Sequence, residues 1–145
     1  MLVVEPARNE DAPKVARLAA NTLSEQYDAE WLSNHMTDRN AFWVARHVPT
    51  NRVVGFALAE QSGPEAHLLA LAVSDQARRR GIGSTLVRTV QHDLARQGAF
   101  RMNLEVRADD PSTQGFYERL GFAPQGLEEK VYRDGGDAVR MAKPL

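Results

Sequence analysis

A basic, glycine-containing segment, Arg78–Ser84 with the sequence RRRGIGS, follows an apolar run at Leu68–Val73. The apolar run predicts a short buried strand, and apolar residues at steps of four from Ile82 to Leu94 predict an amphipathic helix. Glycine lets the backbone bend sharply and approach a ligand closely. The first turn of a helix has unpaired N–H groups at the positive end of its dipole. With three arginines beside it, this basic loop predicts a phosphate or pyrophosphate site.

Local chemistry leaves a second interpretation of the basic loop open, which is a plain turn leading into a solvated, basic helix start. A dinucleotide-binding turn requires a third glycine, and Leu86 occupies that position. A P-loop requires Gly-Lys-Ser/Thr, which is also missing.

Two further side chains could carry acid–base chemistry. Tyr117 has a phenol that stays protonated at neutral pH and can donate a proton, because its ordinary pKa is about 10. Glu105 lies in the alternating segment Arg101–Arg107, which predicts a strand with one polar face. From these residues alone, a core tyrosine and a surface glutamate are the simpler interpretations. Glu60, at the end of another predicted strand, is an alternative base or a surface acid.

Composition bounds the function. The 145 residues suit one domain spanning 1–145, and the net charge of −1 gives no general case for nucleic acid or an anionic membrane. Six arginines against one acid between positions 78 and 101 fit a small polyanionic ligand better than a DNA track.

The absence of cysteine excludes a disulfide and an acyl-cysteine relay. The four histidines show no metal-ligand spacing, so no metal is predicted. No signal peptide or membrane-spanning segment is predicted, so the cytoplasm is the expected location.

The remaining chain predicts alternating strands and helices in the order β-α-α-β-β-β-α-β-α-β-β. The first strand is Leu2–Val4, followed by a helix capped by Asn9 or Asp11 and a second helix from Tyr27 to Met36. The other predicted elements are a hairpin of 41–46 with 53–60, the strand 68–73, the helix from Ile82, the strand 101–107, a helix starting at 110–113, and strands from 122 and at 137–141. This order predicts an α/β fold with a mixed sheet.

Two signatures resemble the GNAT N-acetyltransferase family. Arg78-x-x-Gly81-x-Gly83 after an apolar strand resembles that family's acetyl-CoA pyrophosphate loop, and Phe116–Phe122 resembles its second signature. They stand in the usual order and at about the usual distance. The resemblance covers nearly the whole chain. It implies a mixed, mostly antiparallel sheet with about four helices, splayed at the central strand.

The resemblance also implies roles for single residues. Tyr117 matches the tyrosine that protonates the departing thiolate. Leu104–Arg107 resembles the corresponding segment in the branch of the family that acetylates protein N-termini, such as the ribosomal-protein alanine N-acetyltransferases. In that branch, the residue that matches Glu105 acts as base. The family motif Asn-x-x-Ala-x-x-x-Tyr differs here at two positions, with Asp110 for Asn and Thr113 for Ala, and an Asp cannot donate an amide hydrogen bond.

The resemblance implies acetyl-CoA as acetyl donor, held along the open edge of the central strand, with a backbone N–H near Val73 as oxyanion donor. The implied cofactor-binding residues are Leu71, Ala72, Val73, Arg78, Arg79, Arg80, Gly81, Ile82, Gly83, Ser84 and Asp110. The expected acceptor is a peptide or protein α-amine, used by a monomer or homodimer. One alternative acceptor is a small-molecule amine. The protein could instead be a non-catalytic acyl-CoA-binding module. A nucleic-acid binder that uses the arginines is a further alternative, but the acidic balance elsewhere in the chain argues against it.

Overall fold

The computed structural model describes residues 1–23, 26–37 and 39–145, which form seven strands and four α-helices. Their bounds are β1 Leu2–Pro6, α1 Ala12–Thr22, α2 Ala29–Asn34, β2 Asn40–His47, β3 Arg52–Ser62, β4 Glu65–Val73, α3 Ile82–Arg96, β5 Arg101–Arg107, α4 Pro111–Arg119, β6 Ala123–Glu128 and β7 Ala138–Pro144. The predicted order of strands and helices is confirmed.

Several predicted boundaries are off by one to three positions, such as the end of β7, and two of the differences have local reasons. The central strand β4 begins at Glu65, three positions before the predicted start, because its first part alternates between exposed and buried residues instead of being uniformly apolar. Helix α2 is shorter than predicted, since Asp28 caps it by accepting a hydrogen bond from the Trp31 N–H at 2.7 Å.

The sheet has the order β1-β2-β3-β4-β5-β7-β6, and β4–β5 is its parallel pair. These two strands pair over Glu65–His67 with Arg101–Asn103 and then separate. Beyond His67, β4 stays paired with β3 as far as Val73, while β5 stays paired with β7 as far as Arg107. The splay predicted at the central strand is therefore confirmed, and it leaves one edge of β4 open.

Apolar side chains form a separate core on each face of the sheet. Helix α3 packs on β2, β3 and β4 and buries Leu86, Val90 and Leu94 in one core, which side chains of β5 and Tyr117 of α4 extend. On the opposite face, α1 and α2 bury Val15 and Leu32 against β3. The splay between β4 and β5 therefore opens between a face covered by α3 and α4 and a face covered by α1 and α2.

A buried ion pair anchors the start of α1, where the sequence predicted a helix cap. Asp11 is fully buried and makes no cap bond to α1; its carboxylate accepts two hydrogen bonds from Arg46, at 2.9 and 2.8 Å. It also accepts the Arg8 N–H at 2.9 Å. Burial alone would raise the pKa of Asp11, but the bonds from Arg46 and Arg8 outweigh it and lower the pKa.

Breaking this pair should cost stability. We expect Arg46→Met to lower the free energy of unfolding by about 3–5 kcal/mol, since it leaves a buried carboxylate without its cation. Asp11→Asn/Arg46→Met should lose less, and urea titration at pH 7 measures both. Because the folded pKa of Asp11 is lowered, its contribution is present above the unfolded value of about 3.9 and is lost as pH falls through the folded pKa. A loss below about 1 kcal/mol in the single variant would contradict the assignment.

Candidate active site

A cleft of about 1200 Å³ opens where β4 and β5 separate. Its walls come from β4, the basic loop, the start of α3, the end of β5 and α4. Tyr27, Trp31, Val131 and Tyr132 also line it. The predicted site residues that line it are Leu71, Ala72, Val73, Arg78, Arg79, Gly81, Ile82, Gly83, Ser84, Glu105, Asp110 and Tyr117. Arg80 is exposed and lies outside the lining, as does Glu60.

The open edge of β4 presents backbone polar groups to this cleft. Ser74 donates its N–H to the Val54 carbonyl at 2.8 Å, so it forms a hydrogen-bonded pair across β3 and β4. Because such pairs alternate in an antiparallel ladder, the backbone groups of Leu71 and Val73 point away from β3. The Val73 carbonyl accepts a hydrogen bond from Arg78 Nε at 3.2 Å, which agrees with this orientation. An extended ligand with its own amides could pair with this edge.

The basic loop has the backbone conformation that an anion site requires. Arg79 and Gly81 both have positive φ, 66° and 74°, and Gly81 lies directly before α3. Left-handed backbone at a non-glycine residue is uncommon and clusters at functional sites. The first N–H groups of α3 have no partner within the helix, and Gly83 and Ser84 of this turn line the cleft. A phosphate there would meet amide donors, the helix dipole and two arginines.

Gly83 is the loop position at which a side chain should interfere most directly. A Cβ there would lie 3.4 Å from the Phe116 ring and 3.8 Å from the Val73 side chain. We expect Gly83→Asp to weaken acetyl-CoA binding at least about tenfold, because it adds bulk and a negative charge beside the bound anion. Gly83→Ala adds only the Cβ and should weaken binding less. Calorimetric titration compares the two, and unchanged affinity in a folded Gly83→Asp protein would remove the loop from the site.

Glu105 has a partner that the sequence did not reveal. His67 Nε2 lies 2.6 Å from Glu105 Oε2, and both side chains are about 30% exposed in the cleft. The bond to Glu105 is the main cause that raises the pKa of His67, aided by the charges of Glu60 and Glu128. The bond to His67 is the main cause that lowers the pKa of Glu105. Because His67 is the last β4 residue paired with β5, this pair lies at the fork of the splay.

Tyr117 is buried between two aromatic rings at the side of the cleft. Its ring meets the rings of Phe116 and Phe122 edge-on, with centroids 5.0 and 5.6 Å away, and the residue is 7% exposed. Burial raises the pKa of its phenol above the ordinary value. The phenol therefore stays protonated across the neutral and alkaline range, so it can donate a hydrogen bond into the cleft.

The two departures from the family motif contact each other. Asp110 Oδ1 accepts the Thr113 N–H at 3.0 Å and caps α4, while Asp110 Oδ2 accepts the Thr113 hydroxyl at 2.7 Å. Both carboxylate oxygens are therefore used within the first turn of α4. Asp110 thus acts as the N-cap of α4, and Thr113 supplies a hydroxyl that an alanine would lack.

The sequence model of the protein family described as acetyltransferase (GNAT) domain matches residues 8–145 of this chain. The chain belongs to the GNAT acetyltransferase family. It is therefore an N-acetyltransferase, and the predicted fold and reaction class are confirmed.

Two relatives lie in the branch that the sequence predicted. An N-alpha-acetyltransferase of Saccharolobus solfataricus is 29% identical over 153 residues, covering 96% of this chain and 90% of that protein. The [ribosomal protein bS18]-alanine N-acetyltransferase of Salmonella typhimurium is 32% identical over 98 residues, covering 66% of each. That alignment thus spans just under two-thirds of the Salmonella protein.

Solved structures share the fold over the whole chain. Ard1 from Thermoplasma volcanium superposes with a TM-score of 0.90 at 26% identity, covering 99% of this chain and 97% of that one. A chain of the NatC complex bound to Gag peptide and CoA has a TM-score of 0.85 at 21% identity, covering 99% and 98%. At that identity the second likeness describes the fold alone.

Proposed function

We propose that this N-acetyltransferase moves an acetyl group from acetyl-CoA directly to the α-amine at the N-terminus of a peptide or protein. The observation that carries the proposal is that one cleft joins an open strand edge, a basic loop at a helix N-terminus, the His67–Glu105 pair and Tyr117. The loop and the strand edge suit the donor, and the titratable groups suit proton transfer to and from an amine.

The residues fit acetyl-CoA, whose thioester supplies an activated acetyl group. The amides at Ile82–Ser84 and the Arg78 and Arg79 side chains would hold the pyrophosphate, and the open edge at Leu71 and Val73 would pair with the amide-bearing pantetheine arm. Arg80 lies outside the cleft lining, so it would act at most through long-range charge.

We assign proton acceptance to the His67–Glu105 pair. The Glu105 carboxylate is by itself too weak a base for this task, because the hydrogen bond to His67 lowers its pKa. The neutral His67 imidazole, donating Nε2–H to Glu105, keeps its Nδ1 lone pair and accepts a proton to form an ion pair with that carboxylate. Since Glu105 raises the pKa of His67, the imidazole is closer in basicity to an α-amine than a free histidine is.

The energetics of amine deprotonation favour an α-amine over lysine as acceptor. At pH 7 a lysine with a pKa of about 10.4 must be deprotonated at a cost of about 4.6 kcal/mol, whereas an α-amine with a pKa of about 7.7–8.0 costs about 1–1.4 kcal/mol. A single imidazole–carboxylate pair is better matched to the smaller deprotonation cost of the α-amine. The names of the Saccharolobus and Salmonella relatives also support an N-terminal acceptor.

A peptide panel tests the proposal. We expect acetyl-CoA-dependent thiol release with peptides that have a free N-terminus, and much slower release with the same peptides blocked at the N-terminus but containing lysine. Equal rates on blocked lysine peptides would overturn the α-amine assignment. Turnover only with small amines would replace peptides by a small-molecule acceptor, and tight acetyl-CoA binding without turnover on any amine would indicate a binding module.

Location and assembly remain predictions. Within the described residues, no helix combines the length and apolar character that a bilayer crossing requires. From the sequence, we propose that the protein is cytoplasmic. We also propose that it acts as a monomer or homodimer and without nucleic acid.

A further inference from the structure

Arg107, the last residue of β5, contacts the segment between the final two strands. This β6–β7 connection comprises residues 129–137, and its Val131 and Tyr132 form part of the cleft wall. Arg107 Nη2 donates to Asp134 Oδ2 at 2.7 Å, and the guanidinium carbon lies 4.6 Å from the centroid of the Tyr132 ring. One planar group thus contacts both an acid and an aromatic ring of the same connection.

The connection is folded around this guanidinium. Tyr132 donates its N–H to the Gly136 carbonyl, and Gly135 donates back to the Tyr132 carbonyl, which closes a tight loop. Gly136 lies directly under Arg107, because a Cβ on Gly136 would come within 2.6 Å of Arg107 Nη2. A side chain at position 136 would therefore displace the Arg107 guanidinium from this position.

Arg107 is itself held by neighbouring residues at the end of β5, away from the fork of the splay. Its Nε donates to Asp109 Oδ1 at 3.2 Å, and its carbonyl accepts a hydrogen bond from Gln114 Nε2 at 3.1 Å, which ties it to α4. Arg107 is a permanent cation because a guanidinium stays protonated, and its hydrogen bonds to Asp134 and Asp109 raise its pKa further. A rigid strand end therefore holds a surface connection that lacks a strand or helix of its own.

We propose that Arg107 is a positioning residue for the acceptor: by binding Asp134 and stacking on Tyr132, it holds the β6–β7 connection as one wall of the acceptor end of the cleft. The proposal rests on the function proposed above. The basic loop and the β4 edge are assigned to the donor, so the wall that remains for the acceptor includes Tyr132 together with Tyr27 and Trp31.

Steady-state kinetics with a free-N-terminus peptide test the proposal on the full chain. We expect Arg107→Gln to raise the peptide KM about three- to tenfold, while the acetyl-CoA KM is unchanged and kcat falls less than about threefold. Arg107→Lys keeps the charge but loses the planar stacking, so its peptide KM should lie between those of wild type and Arg107→Gln. Arg17→Gln removes an exposed positive charge from α1, outside the cleft lining, and should leave the peptide KM unchanged.

Hydrogen exchange provides a readout that does not depend on activity. Amides in 129–137 should exchange faster in Arg107→Gln and in Asp134→Asn, with no change in β2 or β3. Asp134→Asn should raise the peptide KM in the same direction, and the double variant should add little, because both changes break one contact. If Arg107→Gln does not fold, Asp134→Asn and Tyr132→Leu carry the test.

Three results would overturn the proposal: exchange in 129–137 unchanged, exchange faster with peptide KM unchanged, or acetyl-CoA KM raised as much as peptide KM. A failure of the proposed function is distinguishable, because it would be seen in the wild-type protein as no turnover of any N-terminal peptide. A failure of the Arg107 assignment would be seen as peptide kinetics in Arg107→Gln that do not differ from those of Arg17→Gln.

Discussion

Replacing Tyr117 with phenylalanine should reduce turnover about 10²–10⁴-fold, the range that general acid catalysis typically contributes. The variant keeps the ring that packs against Phe116 and Phe122, so the fold should survive. The ordinary pKa of a phenol, about 10, already exceeds that of a thiol, about 8.5, and burial raises the pKa of Tyr117 further. The phenol should therefore first stabilise the departing thiolate by donating a hydrogen bond, with proton transfer completed late.

This role makes the effect separable from a packing defect. Calorimetry should give an acetyl-CoA affinity within about twofold of wild type, and the melting temperature should change little. Because the phenol stays protonated, the rate deficit should persist throughout the alkaline range. A turnover change smaller than about threefold would make Tyr117 a core residue, and an equal loss of acetyl-CoA affinity would place it in donor binding.

The order of strands and helices could be predicted because local patterns determine it. The alternation in Arg101–Arg107 gives the bounds of β5, and glycines at positions 98 and 121 follow α3 and α4, each with positive φ. The basic loop was predictable for the same reason, since strand, glycines and helix are contiguous in the sequence. The start of β4 was not, because its first residues lack a continuous apolar run.

Contacts between distant segments could not be predicted from one sequence. His67 and Glu105 are 38 positions apart, and their contact depends on β4 and β5 being parallel neighbours in one particular register. Arg107 and Asp134 likewise meet only because β7 pairs with β5. The available signal was that His67 directly precedes the predicted central strand.

The pH dependence of two variants decides whether the glutamate or the pair is the base. We expect Glu105→Gln to lower kcat on an N-terminal peptide by about 10²-fold at pH 7 and to recover partly by pH 9, where the amine deprotonates unaided. In the wild type the rate should fall as pH decreases through the raised pKa of His67, because the protonated imidazole cannot accept a proton. His92→Gln, outside the cleft lining, serves as a matched control, and Glu60→Gln tests the alternative base.

His67→Gln separates the two mechanisms by the sign of its effect. If the pair is the base, this variant should show the same loss at neutral pH and the same recovery at high pH as Glu105→Gln, and the double variant should be no worse than either. If Glu105 alone is the base, removing His67 takes away the main cause that lowers the Glu105 pKa, so the neutral-pH rate should hold or rise. A Glu105→Gln profile parallel to wild type would exclude Glu105, and a matching loss in Glu60→Gln would identify the alternative base.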